Sequence, residues 1–291
     1  HYGMNSQFLV AAININQRYF SKRGAGTKVQ NISKSNVENY EFLCPIKEEQ
    51  NNIGCFLKEF DNLITLHQRK LSDTRKLKAG LLQKIFPKNG ASVPEVRFPG
   101  FTHAWEQRKL GEVVKITMGQ SPAGISFNEN GVGNPMYQGN ADFGFRFPNK
   151  RVYTTDPKRF AEKYDTLISV RAPVGAQNMA REKCCIGRGV AAFRYKKNNE
   201  FYSYTYYKMM SLMDDIKQFN ETGTVFGSIS KADFEELSIA LPPNELVDKY
   251  QLEVKPIDDK IISNCLQIRT LEKLRDTLLP KLMSGEVRVN V

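Results

Sequence analysis

The chain has 291 residues, 42 Lys and Arg against 31 Asp and Glu, a net charge of +11 and 41% hydrophobic residues. That share supports a buried core of ordinary size, no apolar run of about eighteen residues could span a membrane, and the apolar Phe8–Ile13 is too short and lacks the basic leader of a signal peptide. The five cysteines contain no C-x-x-C, and adjacent Cys184-Cys185 cannot easily share one metal, so reduced thiols, a cytoplasmic location and no metal are expected.

Residues 1–45 read as the C-terminal end of a β-rich domain. Lys28–Ile32 and Val37–Leu43 alternate in polarity and predict strands. Pro45 stops the sheet and suits a helix start, with Glu48 and Glu49 at the positive end of the helix dipole. Apolar residues then recur three and four apart through Ile53, Phe56, Leu57, Phe60, Ile64 and Leu71, which predicts one long helix within 46–90, closed by Pro87–Gly90. Forty residues at ~1.5 Å each make a rod of roughly 60 Å, a spacer rather than a core element.

Residues 97–242 are predicted to form a separate domain. Phe98-Pro-Gly-Phe101 is a turn between apolar anchors. Asp165–Arg171 and Cys185–Phe193 belong to a strand-and-turn body, and Phe201–Met213 reads as a helix with aromatic faces. A second long helix fills 243–285, with Ile257, Ile261, Ile268, Leu271, Leu278 and Leu282 at near-heptad spacing. Asn264 and Arg275 share its seam, as His67 and Lys78 do in the first helix; polar seam residues usually set register.

The chain also repeats itself. Gly26-Thr27, Ile32-Ser33-Lys34, Pro45, Asp61, Ile64 and Lys76-Leu77 return 197 positions later, with sixteen identities over 61 ungapped positions. The unit is therefore about 197 residues, and the chain holds one and a half units. The first copy follows 25 residues and the second follows 136 residues of intervening chain. Most of a first globular domain is thus expected to be missing ahead of His1; the alternative is that residues 1–45 form a short subdomain of their own. Two helices with matching stripes should pack antiparallel. The fold class is α+β: a β-rich domain flanked by two long helices forming an antiparallel coiled coil.

The net charge is +6 over 1–96, +5 over 97–242 and zero over 243–291. A basic globular region suits a phosphate-backbone partner, and a solvated basic surface is the bland alternative. Catalytic readings fare poorly. Gly133-Asn-Pro-Met-Tyr137 lacks the second proline of a methyltransferase base pocket, and Asp248 with Glu253 and Lys255 falls on the second helix rather than in a nuclease cleft. There is no Gly-x-x-x-x-Gly-Lys-Ser/Thr loop for ATP. A recognition surface remains. Gln120 and Ser121 sit in a tight turn, where Gln suits an adenine edge. Arg171 ends a strand and can fork onto guanine or phosphate. Arg188 lies between two glycines, Thr224, Ser230 and Lys231 offer hydroxyls and a cation, and Arg146, Lys150 and Arg151 interleave charge with aromatics. A solvated turn is the competing reading of each.

Phe98-Pro-Gly-Phe-Thr102, Trp105–Val113, Gly119-Gln-Ser-Pro122, Leu167–Gly175, Gly223-Thr224 with Ile229-Ser-Lys231, Leu241-Pro-Pro243 and Leu274–Leu282 together resemble the DNA sequence-specificity subunit of type I restriction-modification systems. The resemblance covers nearly the whole chain. It implies two target-recognition domains, each followed by a long helix, with the helices paired as a ruler and each domain reading half of a split site in double-stranded DNA. It makes residues 1–45 the remnant of the first recognition domain and 97–242 the second. It also implies a non-catalytic chain without cofactor, on which methylation and restriction subunits dock, bringing S-adenosylmethionine, ATP and Mg. Half-subunits could pair as a homodimer through their helices. A remnant of a single-chain DNA-modifying enzyme that has lost its catalytic domain is the alternative, and a coiled-coil adaptor that never touches DNA is a third.

Overall fold

A computed structural model describes residues 3–24, 31–87, 91–222 and 228–289. They fall into two compact units, residues 1–73 with 263–291, and residues 74–262. No helix among the described residues is long and apolar enough to cross a membrane.

The first unit is helical. Helices α1 (Ser6–Ile15), α2 (Gln17–Ser21) and α3 (Lys34–Glu38) precede α4 (Lys47–Ile85). Asn5 caps α1, its side chain accepting from the Gln7 and Phe8 N–H groups at 3.0 and 3.1 Å, and Ser33 caps α3 by accepting from the Asn36 N–H at 3.3 Å. The strand expected over Val37–Leu43 is therefore not found, and of Lys28–Ile32 only Asn31 and Ile32 are described. Alternation along Val37–Leu43 has another cause. Tyr40 and Phe42 stack at 5.3 Å and turn back onto the helices, with Tyr40 4.9 Å from Tyr19, Phe42 6.4 Å from Phe8, and the Tyr40 hydroxyl donating to Ala12 O at 3.0 Å.

Antiparallel pairing is visible inside this unit. His67 on α4 meets Asn264 at 2.9 Å, Asp61 meets Arg275 at 3.0 Å, and Ile53 and Leu57 share a core with Leu282, so one helix ascends as the other descends. Residue 264 is residue 67 displaced by one repeat, which puts the polar seam pair close to an internal twofold axis.

The second unit holds the β-rich body. The strands are β1 (Glu106–Lys109), β2 (Val114–Met118), β3 (Phe127–Asn128), β4 (Asn134–Tyr137), β5 (Val152–Thr154), β6 (Phe160–Ala161), β7 (Thr166–Ser169), β8 (Gln177–Met179), β9 (Cys184–Ile186), β10 (Val190–Tyr195) and β11 (Ser238–Leu241). Helices α5 (Leu110–Val113), α6 (Tyr202–Ser211), α7 (Met213–Thr222), α8 (Lys231–Glu236) and the part of α9 (Asn244–Met283) up to residue 262 complete it. The sheets run β2-β10-β7-β8 and β3-β5-β4-β9-β6, with β4–β9 the parallel pair, and β1 with β11 ties the two ends of the body together. Aromatic packing joins body to helices: Phe234 stands edge-on to Phe193 at 4.9 Å, and Phe86 lies 5.8 Å from Tyr204 and 5.7 Å from Tyr250.

The structure extends the repeat upstream of the identities. Helices α1 and α2 begin 196 positions before α6 and α7, and α3 begins 197 positions before α8, whose cap is Ser230 as that of α3 is Ser33. The environments differ sharply. Ile229 and Phe234 are 3% and 1% exposed, while their first-copy counterparts Ile32 and Val37 are 40% and 51% exposed; Ala240 is buried where Leu43 is 75% exposed. In the second copy these positions grip the sheets.

Candidate nucleic-acid interface

Strand order assembles the site. Because β2 and β7 both run antiparallel to β10, the end of β2, the start of β10 and the end of β7 lie on one edge. Three loops far apart in sequence meet there. The Gly119 N–H donates to Val190 O, the Gln120 N–H to Ile186 O and the Val170 N–H to Gly189 O, each at 2.9 Å. The Arg188 N–H donates to the Ser121 hydroxyl at 3.2 Å, and the Ile229 N–H to Val170 O at 3.1 Å, drawing in the segment that leads to Ser230. Arg171 faces Ser228 in an isolated antiparallel bridge.

Glycine is a requirement of this knot at two positions. A Cβ on Gly119 would fall well inside van der Waals contact with the carbonyl oxygens of Gly187, Ile186 and Val190, and one on Gly189 would strike Gln138 O. These neighbours are backbone and cannot swing aside. Gly189→Ala is expected to lower stability by about 1–3 kcal/mol as an overpacking substitution, read as a lower urea midpoint at unchanged m value.

The edge therefore gathers four of the residues expected at a DNA surface: Gln120, Ser121, Arg171 and Arg188. The side chains of Gln120, Arg171 and Arg188 are exposed. Others differ. Arg146 is not on the surface: it is 4% exposed and forks onto Asp258 at 2.9 and 2.8 Å, with its guanidinium 3.7 Å from the Tyr206 ring centroid. Basic-aromatic interleaving marked a buried ion pair here. Lys150 and Arg151 are exposed but each sits 2.5 Å from a carboxylate, Glu182 and Asp142. Lys231 pairs with Glu235 at 2.8 Å, and the Ser230 hydroxyl is engaged with Asp233 in a capping box. Thr224 lies outside the described residues.

Sequence reading missed Arg159, Gln138 and Asn140, all exposed. The Ile186 N–H donates to Arg159 O at 3.0 Å, which sets Arg159 beside the Arg188 loop. Gln138 follows β4, whose Tyr137 pairs with Ile186, and the Gly187 N–H donates to Tyr137 O at 2.8 Å. A strand followed by an amide and glycine, Tyr137-Gln-Gly, was the available signal, the same residue types that follow Met118. No group of three or more acidic, His or Cys side chains among the described residues is arranged to hold a metal.

Comparison with known proteins agrees with this architecture. The family model for the type I restriction modification DNA specificity domain matches residues 2–74 and 103–267, two matches whose ends lie 193 residues apart, close to the repeat period. The chain is 34% identical over 277 residues to the Methanocaldococcus jannaschii protein named for the MjaX type I restriction enzyme specificity subunit, covering 94% of this chain and 64% of that protein. It is 25% identical over 291 residues to the type I restriction enzyme MjaIX specificity subunit of the same organism, covering 93% and 66%. The chain thus spans about two thirds of the length of these relatives. The crystal structure of the type I restriction-modification system S subunit from M. genitalium shares the fold, with a TM-score of 0.64 at 20% identity over 97% of this chain and 73% of that one. A chain with two family matches in tandem, one per repeat copy, belongs to the type I restriction modification DNA specificity domain family.

Proposed function

We propose that this chain is a sequence-specific DNA-recognition subunit of a type I restriction-modification complex, working in the cytoplasm as a reader and scaffold rather than as an enzyme. Residues 97–242 act as the target-recognition domain for one half of a bipartite site, and residues 1–45 are the tail of another. The helices within 46–90 and 243–285 serve as spacer and as platform for methylation and restriction subunits, which bring S-adenosylmethionine, ATP and Mg and carry out methylation and cleavage. The observation that carries this reading is the sheet edge, where exposed Arg171 and Arg188 stand beside exposed Gln120 on a backbone too tightly knotted to shift. Fixed guanidinium groups supply phosphate or guanine contacts, and the amide supplies base readout. Lys150, Arg151, Ser230 and Lys231 are secondary candidates, since each is already engaged by a carboxylate.

Since residues 47–73 already pair with 263–283 of the same chain, a homodimer through these helices would have to exchange that pairing between copies. The binding reading is tested by titrating duplex DNA over a range of salt. Affinity should fall steeply with salt, and Arg171→Ala and Arg188→Ala should each flatten the logarithmic slope by about one if they hold phosphates. Binding insensitive to salt and to both substitutions would remove this edge from the DNA interface.

A further inference from the structure

The loop after β4 carries an unassigned reading element, and the inference rests on the DNA reading of the neighbouring edge. Residues 138–142 are held from several sides. The Gln138 N–H donates to the buried Asp142 carboxylate at 2.6 Å, Asp142 is gripped by Arg151 at 2.5 Å, and the Asn149 N–H donates to Asp142 O at 2.8 Å. Within the loop, the Asp142 N–H donates to Gly139 O at 3.1 Å and the Phe143 N–H to Asn140 O at 3.0 Å. The bare α-carbon of Gly189 seats against Gln138 O, so the loop lies directly beside Arg188. The Gln138 and Asp142 N–H groups, the Gly139, Asn140 and Asp142 carbonyls and the Asp142 carboxylate are thus used to fix its shape. What it presents outward is the pair of exposed amide side chains of Gln138 and Asn140.

We infer that Gln138 and Asn140 are specificity-determining residues, an amide pair that reads base edges alongside the Gln120 and Arg188 loops. The chemistry favours adenine. A carboxamide offers one donor and one acceptor side by side, matching the N7 acceptor and N6 donor of adenine in the major groove. A rigid loop also meets the requirement that a reading group be held in place before binding, and the Arg151–Asp142 pair then acts as a positioning contact rather than a phosphate clamp.

The test uses the 291-residue chain in selection from a randomised duplex library, followed by competition with single-base-substituted duplexes. Gln138→Ala and Asn140→Ala should each erase a preference of about ten-fold or more at one base pair while leaving affinity for random duplex unchanged. Asn140→Asp, which keeps the shape, should move its position from adenine towards cytosine, whose N4 amine suits a carboxylate. Thermal melting of each variant separates lost reading from lost folding, and Asn140→Asp keeps the question open to measurement if either alanine variant unfolds. An unchanged preference profile in Asn140→Asp and in the folded alanine variants overturns the inference while leaving the Arg171 and Arg188 interface standing. A wild-type chain without any base preference overturns both this inference and the sequence-specific reading by residues 97–242.

Discussion

Arg146→Ala is expected to cost about 3–5 kcal/mol of folding stability, the range for removing one partner of a buried ion pair. Asp258 would then be left fully buried without its bidentate guanidinium, keeping the Tyr207 hydroxyl at 2.8 Å among its contacts. Burial alone would disfavour the charge on Arg146. The adjacent Asp258 carboxylate, helped by Tyr206 and Tyr207, more than reverses this and holds the guanidinium above its ordinary pKa. The pair joins the loop after Phe145 to helix α9, so the substitution loosens the β-rich body from that helix. Urea unfolding of the purified chain measures the loss. Arg146→Met combined with Asp258→Leu should recover most of it, since an apolar pair of similar volume needs no desolvation. A single substitution costing less than about 1 kcal/mol would show that the pair is not what joins them.

Lys208→Met is expected to stabilise the protein by about 3 kcal/mol at pH 7 and to change its alkaline profile. Lys208 is 5% exposed on α6, with its ammonium 5.8 Å from the Phe86 ring centroid. Burial lowers its pKa to about 8, with Asp215 opposing the shift only in part. A lysine depressed in the folded state penalises folding while both states are protonated. The penalty is complete below about pH 8 and is relieved as pH climbs towards the unfolded value near 10.4, so the stability gap between the variant and the wild type should close through that window. Stability otherwise falls over the alkaline range, because burial keeps the Cys184 thiol and the Tyr204, Tyr207 and Tyr250 hydroxyls protonated in the fold while the unfolded groups ionise. The methionine variant should therefore fall more steeply than the wild type between pH 8 and 10, since it lacks the relief at Lys208. The first copy supports the exchange, since the matching position 196 residues earlier is buried Ala12. A gap between variant and wild type that stays constant from pH 8 to 10 would contradict the buried charge.

The two long helices were legible because their periodicity is a local property, and because the repeat offered each stripe twice. The N-terminal helices were not. Asn5 and Ser33 are caps that a reader of alternation passes over, and Val37–Leu43 alternates because Tyr40 and Phe42 fold back on helices, not because a neighbouring strand exists. The interface was partly legible. Gln120, Arg171 and Arg188 stood out through their glycine and proline neighbours, which mark sharp backbone. Their convergence needed the strand order β2-β10-β7, which no local signal carries. Arg146 was misread for the same reason: its partner Asp258 lies 112 positions away, so the same residues suggest surface charge until the partner is known. Gln138 and Asn140 were passed over because amides without a charge pattern resemble any turn.

The contrast between Ile32, Val37 and Leu43 in one copy and Ile229, Phe234 and Ala240 in the other has its own outcome. The same position along the repeat is covered in the second copy and uncovered in the first. Ile32, Val37 and Leu43 therefore leave apolar side chains against water, a state that an apolar partner surface would relieve.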